Sequence, residues 1–128
     1  MPRTPSPTLT DAELRLMKIL WAEGPATVGE VVQALPADAP LAYSTVLTTL
    51  RILEQKGYLR HEKRGRAYVY HPVIERSEAR RSALRHMIDR FFNNSPELLV
   101  LNVLQHEALN AEDLERLRRM IDESEQGG

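Results

Sequence analysis

The sequence predicts a mainly α-helical protein with one small β-hairpin: a winged helix-turn-helix domain followed by a three-helix dimerisation domain. Three observations predict this fold. Two capped helices and a turn precede a third helical stretch, an alternating hairpin pattern follows it, and three more helical stretches complete the chain. We expect the first domain at residues 9–74 and the second at 75–123, with flexible ends at residues 1–8 and 124–128.

Capping boxes open the first two helices. Thr10 and Glu13 have the spacing at which each side chain accepts a hydrogen bond from the other residue's backbone, and Gly24 is a natural end for the helix that follows. Thr27 and Glu30 repeat the capping pattern at the start of a second, shorter helix.

The stretch from Ala42 to Tyr58 is predicted to be a third helix with two different faces. At about 100° per residue, Val46, Leu50 and Leu53 form a narrow apolar stripe that is typical of a core-facing side. The opposite face is hydroxylated and sparsely charged, and such short groups can lie against base edges in a DNA groove. We therefore interpret the stretch as a recognition helix, although a solvated face with a chance run of hydroxyls is the alternative. The predicted DNA contacts are Tyr43, Ser44, Thr45, Thr48 and Arg51.

The segment after Gly57 changes from a helical to an alternating pattern, which predicts a hairpin. Lys63, Arg64 and Arg66 surround Gly65 at its tip. In a winged helix these cations would contact the phosphate backbone beside the groove, whereas the alternative is an ordinary charged turn.

Three further helices are predicted from residue 74 onward. The first of them carries many arginines, which would either contact DNA or pair with the acidic last helix. Ser95 and Pro96 start the second helix, and Asn110 caps the third. The second is apolar nearly all round, so a second copy of the chain is expected to cover it in a symmetric homodimer. The predicted dimerisation residues are Leu84, Ile88, Phe91, Leu98, Leu101, Val103, Leu104, Leu117 and Ile121.

Charge is unevenly distributed along the chain. The formal net charge is −1, yet residues 1–50, 51–90 and 91–128 carry −2, +6 and −5. The basic middle can supply the phosphate contacts on which DNA affinity depends. No apolar run is long enough to cross a bilayer and there is no cysteine, so a cytoplasmic protein is expected.

Catalytic and metal-binding motifs are not evident in the sequence. The four histidines, His61, His71, His86 and His106, lack ligand spacing, and there is neither a glycine-rich phosphate loop nor a cysteine nucleophile. We therefore expect no enzyme, no cofactor and no metal. The competing hypothesis to DNA binding is a winged-helix module that serves as a protein-interaction scaffold.

Several motifs together resemble those of the penicillinase-repressor family, the BlaI/MecI/CopY group. They are Leu9–Glu13, Trp21, Tyr43–Val46, Lys56–Leu59 and Tyr68–Tyr70, in family order and spacing. The resemblance implies a dimeric transcriptional repressor that binds double-stranded DNA at a palindromic operator.

The resemblance also concerns how such repressors are released. In the antibiotic-resistance members a membrane sensor-protease triggers cleavage of the repressor at an Asn-Phe bond in its dimerisation region, and the cleaved repressor leaves the operator. The matching bond here is Asn102–Val103, which keeps the Asn and lacks the Phe. The paired cysteines that hold metal in the copper-responsive members are absent from this sequence.

Overall fold

The computed structural model describes residues 8–127, and this range contains six α-helices and three β-strands. The elements are α1 (Asp11–Glu23), β1 (Ala26–Thr27), α2 (Val28–Ala34), α3 (Tyr43–Gln55), β2 (Leu59–Arg64), β3 (Ala67–Pro72), α4 (Arg76–Phe91), α5 (Pro96–His106) and α6 (Ala111–Gly127). The strands form one antiparallel sheet in the order β1-β3-β2. The predicted mainly helical fold with a winged helix-turn-helix arrangement is confirmed.

Both predicted capping boxes are present. The backbone N–H of Thr10 donates to Glu13 Oε1 at 2.8 Å, and that of Glu13 donates to Thr10 Oγ1 at 3.2 Å. Thr27 and Glu30 make the same reciprocal pair at 2.9 and 3.2 Å. These bonds satisfy N–H groups that a helix start would otherwise leave unpaired, so they fix where α1 and α2 begin.

The core of the N-terminal region lies among α1, α2, α3 and the sheet. The predicted stripe of α3, Val46, Leu50 and Leu53, is fully buried there. It packs in one cluster with apolar side chains of the neighbouring elements, which include Leu16, Met17, Leu20, Val28, Val31, Tyr58, Leu59 and Tyr70. This packing fixes the rotation of α3 about its own axis.

The strand β1 was not predicted. It consists of two residues only, with Ala26 opposite Tyr70 and Thr27 opposite Val69 on β3. Two residues are too few to show an alternating pattern in the sequence, and one of them, Thr27, also caps α2. The pairing of β1 attaches the middle of β3 to the start of α2.

One buried ion pair joins α1 to the end of α3. Lys56 Nζ donates to Glu13 Oε1 at 2.7 Å and to the backbone carbonyl of Thr8 at 3.3 Å, and the Glu13 side chain is almost fully buried. Burial raises the pKa of Glu13, but the hydrogen bonds from Lys56 and from the Thr10 backbone outweigh it, so the pKa lies below its ordinary value of 4.5.

The chain divides into two compact units, of which the first ends at His86 and the second begins at Met87. The expected domain boundary at residues 74 and 75 lies twelve residues earlier than this division, because the first half of α4 belongs with the first unit: Ala79 is buried in its core cluster.

In the second unit, Asn93 and Asn94 adopt positive φ angles of 51° and 62° where α4 ends. The Ser95 hydroxyl accepts a hydrogen bond from the Leu98 N–H at 3.1 Å and so caps α5 as predicted. Asn110 caps α6 through the Asp113 N–H at 2.8 Å.

The segment expected to be a flexible C-terminal tail is helical as far as Gly127, where α6 ends. Of the expected flexible N-terminus, residues 1–7 lie outside the described residues. No helix within residues 8–127 has the length and apolar character needed to cross a membrane.

We predict that Lys56→Met lowers the free energy of unfolding by about 1–3 kcal/mol, because it leaves the buried Glu13 carboxylate without its main partner. Chemical denaturation at pH 7 measures this loss. Lys63→Met, which removes an equal charge from an exposed position, is the matched control and should change stability by less than about 0.5 kcal/mol.

The pH dependence supplies a second readout of the same pair. Since folding lowers the pKa of Glu13, its contribution is present above the ordinary value of 4.5 and disappears as the pH falls through the folded-state value. In Lys56→Met this acid-dependent loss should be smaller; an identical pH profile in both proteins would contradict the assignment.

Candidate nucleic-acid interface

The predicted outer face of α3 is exposed in the structure. Ser44, Thr45, Thr48 and Arg51 are all exposed, and Tyr43 at the first turn exposes 58% of its surface. Ala42 precedes the helix and provides no side-chain cap, which leaves the first-turn N–H groups without a side-chain acceptor. All five predicted contact residues are therefore solvent-exposed residues of one helix.

A shallow depression of about 270 Å³ lies on this face. Ser44, Thr45, Thr48 and Thr49 line it, and the Thr49 hydroxyl donates to the Thr45 carbonyl at 2.7 Å. Ile52, which the sequence analysis did not select, exposes 37% of its surface. An apolar side chain outside the core stripe was the signal that could have found it, and such a group can contact a thymine methyl.

The hairpin tip carries its three predicted cations on an exposed turn. Lys63, Arg64 and Arg66 are exposed, and Gly65 adopts a φ of 64° that the tight turn requires. Arg64 Nη2 lies 3.2 Å from Glu62 Oε1, so this cation already has a carboxylate partner. The sequence does not distinguish the three charges, whereas in the structure Lys63 and Arg66 are the cations without an ion pair in the described part of the wing.

Glu62 is the centre of the charged network at the wing. Besides Arg64, it accepts a hydrogen bond from His71 Nε2 at 3.1 Å and has Arg60 Nη1 at 3.7 Å. The hydrogen bond from His71 is the main cause that lowers the pKa of the Glu62 carboxyl below its ordinary range, and the nearby arginines lower it further. The wing therefore carries a carboxylate that offsets part of its positive charge.

A histidine attaches the wing to the recognition helix. His61 Nδ1 on β2 lies 2.7 and 2.8 Å from the two carboxylate oxygens of Glu54 on α3. The His61 ring also packs edge-on against Tyr68, with ring centroids 5.0 Å apart. From the sequence, His61 was considered only as a metal ligand, and its seven-residue separation from Glu54 gave no signal of this contact.

The charges of Arg51 and Glu54 both affect the pKa of Tyr70, which is buried on β3. Burial is the main cause that raises the pKa of Tyr70, the charge of Glu54 raises it further, and Arg51 partly offsets both. Arg51 is therefore held near the sheet as well as on the exposed face of α3.

Within residues 8–127 no group of three or more potential ligands could hold a metal ion.

The predicted dimerisation side chains are exposed, with one exception. Ile88 is buried within the chain, while the other eight expose 38–69% of their surface. Neither α5 nor α6 buries any residue, and Val100 and Met120 add to the exposed apolar surface. Asn102 lies inside α5, where its side-chain amide donates to the Leu98 carbonyl at 2.9 Å.

Comparison with known proteins identifies the family. Residues 9–123 match the sequence model of the family described as Penicillinase repressor. The chain belongs to the penicillinase repressor family. The chain is 32% identical over 117 residues to the penicillinase repressor of Bacillus licheniformis, with 91% of each chain covered. It is also 34% identical over 122 residues to the transcriptional regulator BlaI of Mycobacterium tuberculosis, covering 93% of this chain and 86% of the relative.

A solved structure gives the same result for part of this penicillinase repressor family member. The solution structure of the DNA-binding domain of the repressor BlaI matches with a TM-score of 0.51 and 36% sequence identity, covering 59% of this chain and 93% of that chain. The predictions of the family and of a DNA-binding repressor are confirmed.

We predict that the Glu62 side-chain carboxyl titrates below the ordinary glutamate range in a pH series followed by NMR. His71→Gln should move this titration upward, because it removes the main interaction that stabilises the carboxylate. His106→Gln, which alters a histidine of α5, is the control and should leave the Glu62 titration unchanged. Equal Glu62 titrations in wild type and His71→Gln would show that His71 does not set the charge of the wing.

Proposed function

We propose that this protein is a cytoplasmic transcriptional repressor that binds a palindromic operator as a homodimer. One observation carries the proposal: burial of the Val46, Leu50 and Leu53 stripe turns the hydroxylated face of α3 to the solvent, on the same unit as a basic wing. A helix of this kind fits the major groove, with Thr48 and Arg51 able to contact base edges and the wing able to contact phosphates.

The relatives support a repressor rather than a scaffold or an enzyme. They carry the names penicillinase repressor and transcriptional regulator BlaI, and they are matched along most of their length. We assign the family's regulatory function to this chain and no catalytic role. Lys63 and Arg66 are proposed as the principal phosphate contacts of the wing, with a smaller contribution from Arg64 because Glu62 pairs with it.

The homodimer is proposed from the apolar surface of the second unit. Leu98, Leu101 and Leu104 lie on α5, which buries no residue within the chain. Aliphatic surface of this extent is costly in water, and a twofold interface would cover it with the same surface of a second copy. Two α3 helices could then enter successive major grooves about 34–36 Å apart.

Release from DNA by proteolysis is the remaining part of the proposal. A membrane sensor-protease is the partner that the family resemblance suggests, and Asn102–Val103 is the bond it would cut. This bond lies within α5, and the Asn102 side chain is hydrogen-bonded to the turn before it. Cutting would therefore require α5 to unwind locally, and it would divide the proposed dimerisation surface.

The wing makes a quantitative prediction about DNA binding. Wild-type protein should bind random-sequence duplex DNA at low salt with a dissociation constant below about 100 μM, and log K should fall linearly with log salt. Replacing Lys63, Arg64 and Arg66 by alanine should reduce the slope by up to about 2.7, since each phosphate contact contributes about 0.9. Fluorescence anisotropy across a salt series measures both quantities.

The control is Arg118→Ala, which removes an exposed cation from α6 and should leave the slope unchanged. A wild-type protein that does not bind DNA at low salt would favour the scaffold hypothesis. An unchanged slope in the triple variant would exclude the wing from the interface.

The dimer predicts the symmetry of the DNA site. In selection from a random DNA pool, wild-type protein should enrich two inverted half-sites about 10 base pairs apart, centre to centre. Leu101→Glu, which places a carboxylate on the exposed apolar face of α5, should give a monomer of 14.6 kDa by light scattering and should enrich a single half-site. Gln105→Glu adds the same charge at a polar position of α5 and should remain dimeric. A monomeric wild type at micromolar concentration would refute the homodimer.

A further inference from the structure

A cavity of about 610 Å³ lies in the first unit, away from the exposed face of α3. Its walls come from α1 and the two residues at positions 8 and 9, from Tyr58 beyond the end of α3, and from α4 between Arg76 and His86. The apolar lining consists of Leu9, Leu14, Trp21, Tyr58, Ala79 and Ala83. A volume of this size is in the range of pockets that hold small organic molecules, which are mostly apolar with a few placed polar groups.

The charged residues that line the cavity all carry the same sign. They are Lys18, Arg76 and Arg80, and no carboxylate of residues 8–127 contributes to the lining. The Arg76 guanidinium lies 5.7 Å from the centre of the Trp21 ring, while neither Lys18 nor Arg80 forms an ion pair in the described part of the chain. Cations that lack carboxylate partners at an apolar cavity favour an anionic ligand.

A further polar group of the lining lacks a hydrogen-bond partner among the residues that the structure describes. Nε2 of His86 is buried and makes no hydrogen bond to any of the residues 8–127. Buried polar atoms are nearly always paired, so an unpaired one at a cavity indicates a missing hydrogen-bond partner. A ligand oxygen could supply that partner.

We propose that this cavity binds a small amphipathic carboxylate, a molecule with one anionic group and a compact apolar body. The carboxylate pairs with Arg80 and Lys18, and the apolar body packs against Trp21 and Ala83. The Trp21 indole is held in place for this contact, because its Nε1 donates to the Ile74 carbonyl at 2.8 Å.

The position of the cavity connects it to regulation, a consequence that rests on the proposed repressor function. Tyr58 lies three residues beyond the end of α3, and α4 continues from the cavity residues Arg76–His86 into the second unit. A ligand between α1 and α4 would therefore stabilise one arrangement of the segment that leads from the recognition helix to α4. The ligand can change DNA affinity only by as much as its own affinity differs between that arrangement and the alternative one.

Trp21 provides the assay, since it is the only tryptophan of the chain and lines the cavity. We use 4-tert-butylbenzoate as the probe and its neutral amide, 4-tert-butylbenzamide, as the matched control ligand. Titration of the full-length protein should give a saturable change in Trp21 fluorescence, and the carboxylate should bind about tenfold more tightly than the amide because of its charge-assisted bonds.

Variants locate the binding. Arg80→Gln should weaken carboxylate binding about tenfold, whereas the adjacent Arg81→Gln removes an equal charge outside the lining and should leave binding unchanged. Ala83→Leu fills the cavity from a helical position that tolerates leucine, and it should abolish binding of both ligands while preserving the helical circular dichroism.

The proposal is overturned if carboxylate and amide bind equally, if the two arginine variants behave alike, or if no saturable signal develops up to millimolar probe. These measurements contain no DNA, so their failure is distinct from a failure of the proposed repressor function. Anisotropy with a selected operator then measures the regulatory effect: a shift in DNA affinity that Ala83→Leu eliminates supports the coupling, and an unchanged affinity overturns it.

Discussion

The burial of Val46, Leu50 and Leu53 determines the angular position of every other residue on α3. Because successive side chains turn by about 100°, a helix that buries this stripe has no freedom in what it presents to the solvent. The exposed residues then depend on the elements that hold the helix. Lys56 and Glu13 join its end to α1, and the Glu54–His61 contact joins it to the wing.

Many features of the fold were predictable because they depend on residues that are close together in the sequence. Capping boxes, the α3 stripe and the glycine at the hairpin tip each depend on residues only a few positions apart, so sequence spacing already contains the geometry. The same reasoning identified the exposed face of α3, because periodicity separates inside from outside. It also located the cap of α5 at Ser95.

Contacts between distant residues could not be predicted in the same way. The partner of Glu13 at Lys56 does not follow from spacing, since it depends on how α1 packs against the end of α3. The partner of Glu62 at His71 depends on the exact register of β2 against β3, in which His71 lies opposite Arg60. The consequence is largest at the wing, where counting charges gives three equivalent cations and the structure gives Arg64 a carboxylate partner. The cavity beside Trp21 was missed for the same reason, because residues from 8 to 86 contribute to its walls.

In the proposed homodimer, the absence of any buried residue in α5 and α6 links the stability of this region to the amount of protein present. A surface that is covered only by a second copy is stabilised by mass action. Dilution therefore dissociates the dimer, and the separated chains are less stable. In such a repressor the rate of synthesis acts on both the number of molecules and the fraction that are paired. Occupancy of a twofold DNA site would then rise more steeply than in proportion to protein concentration.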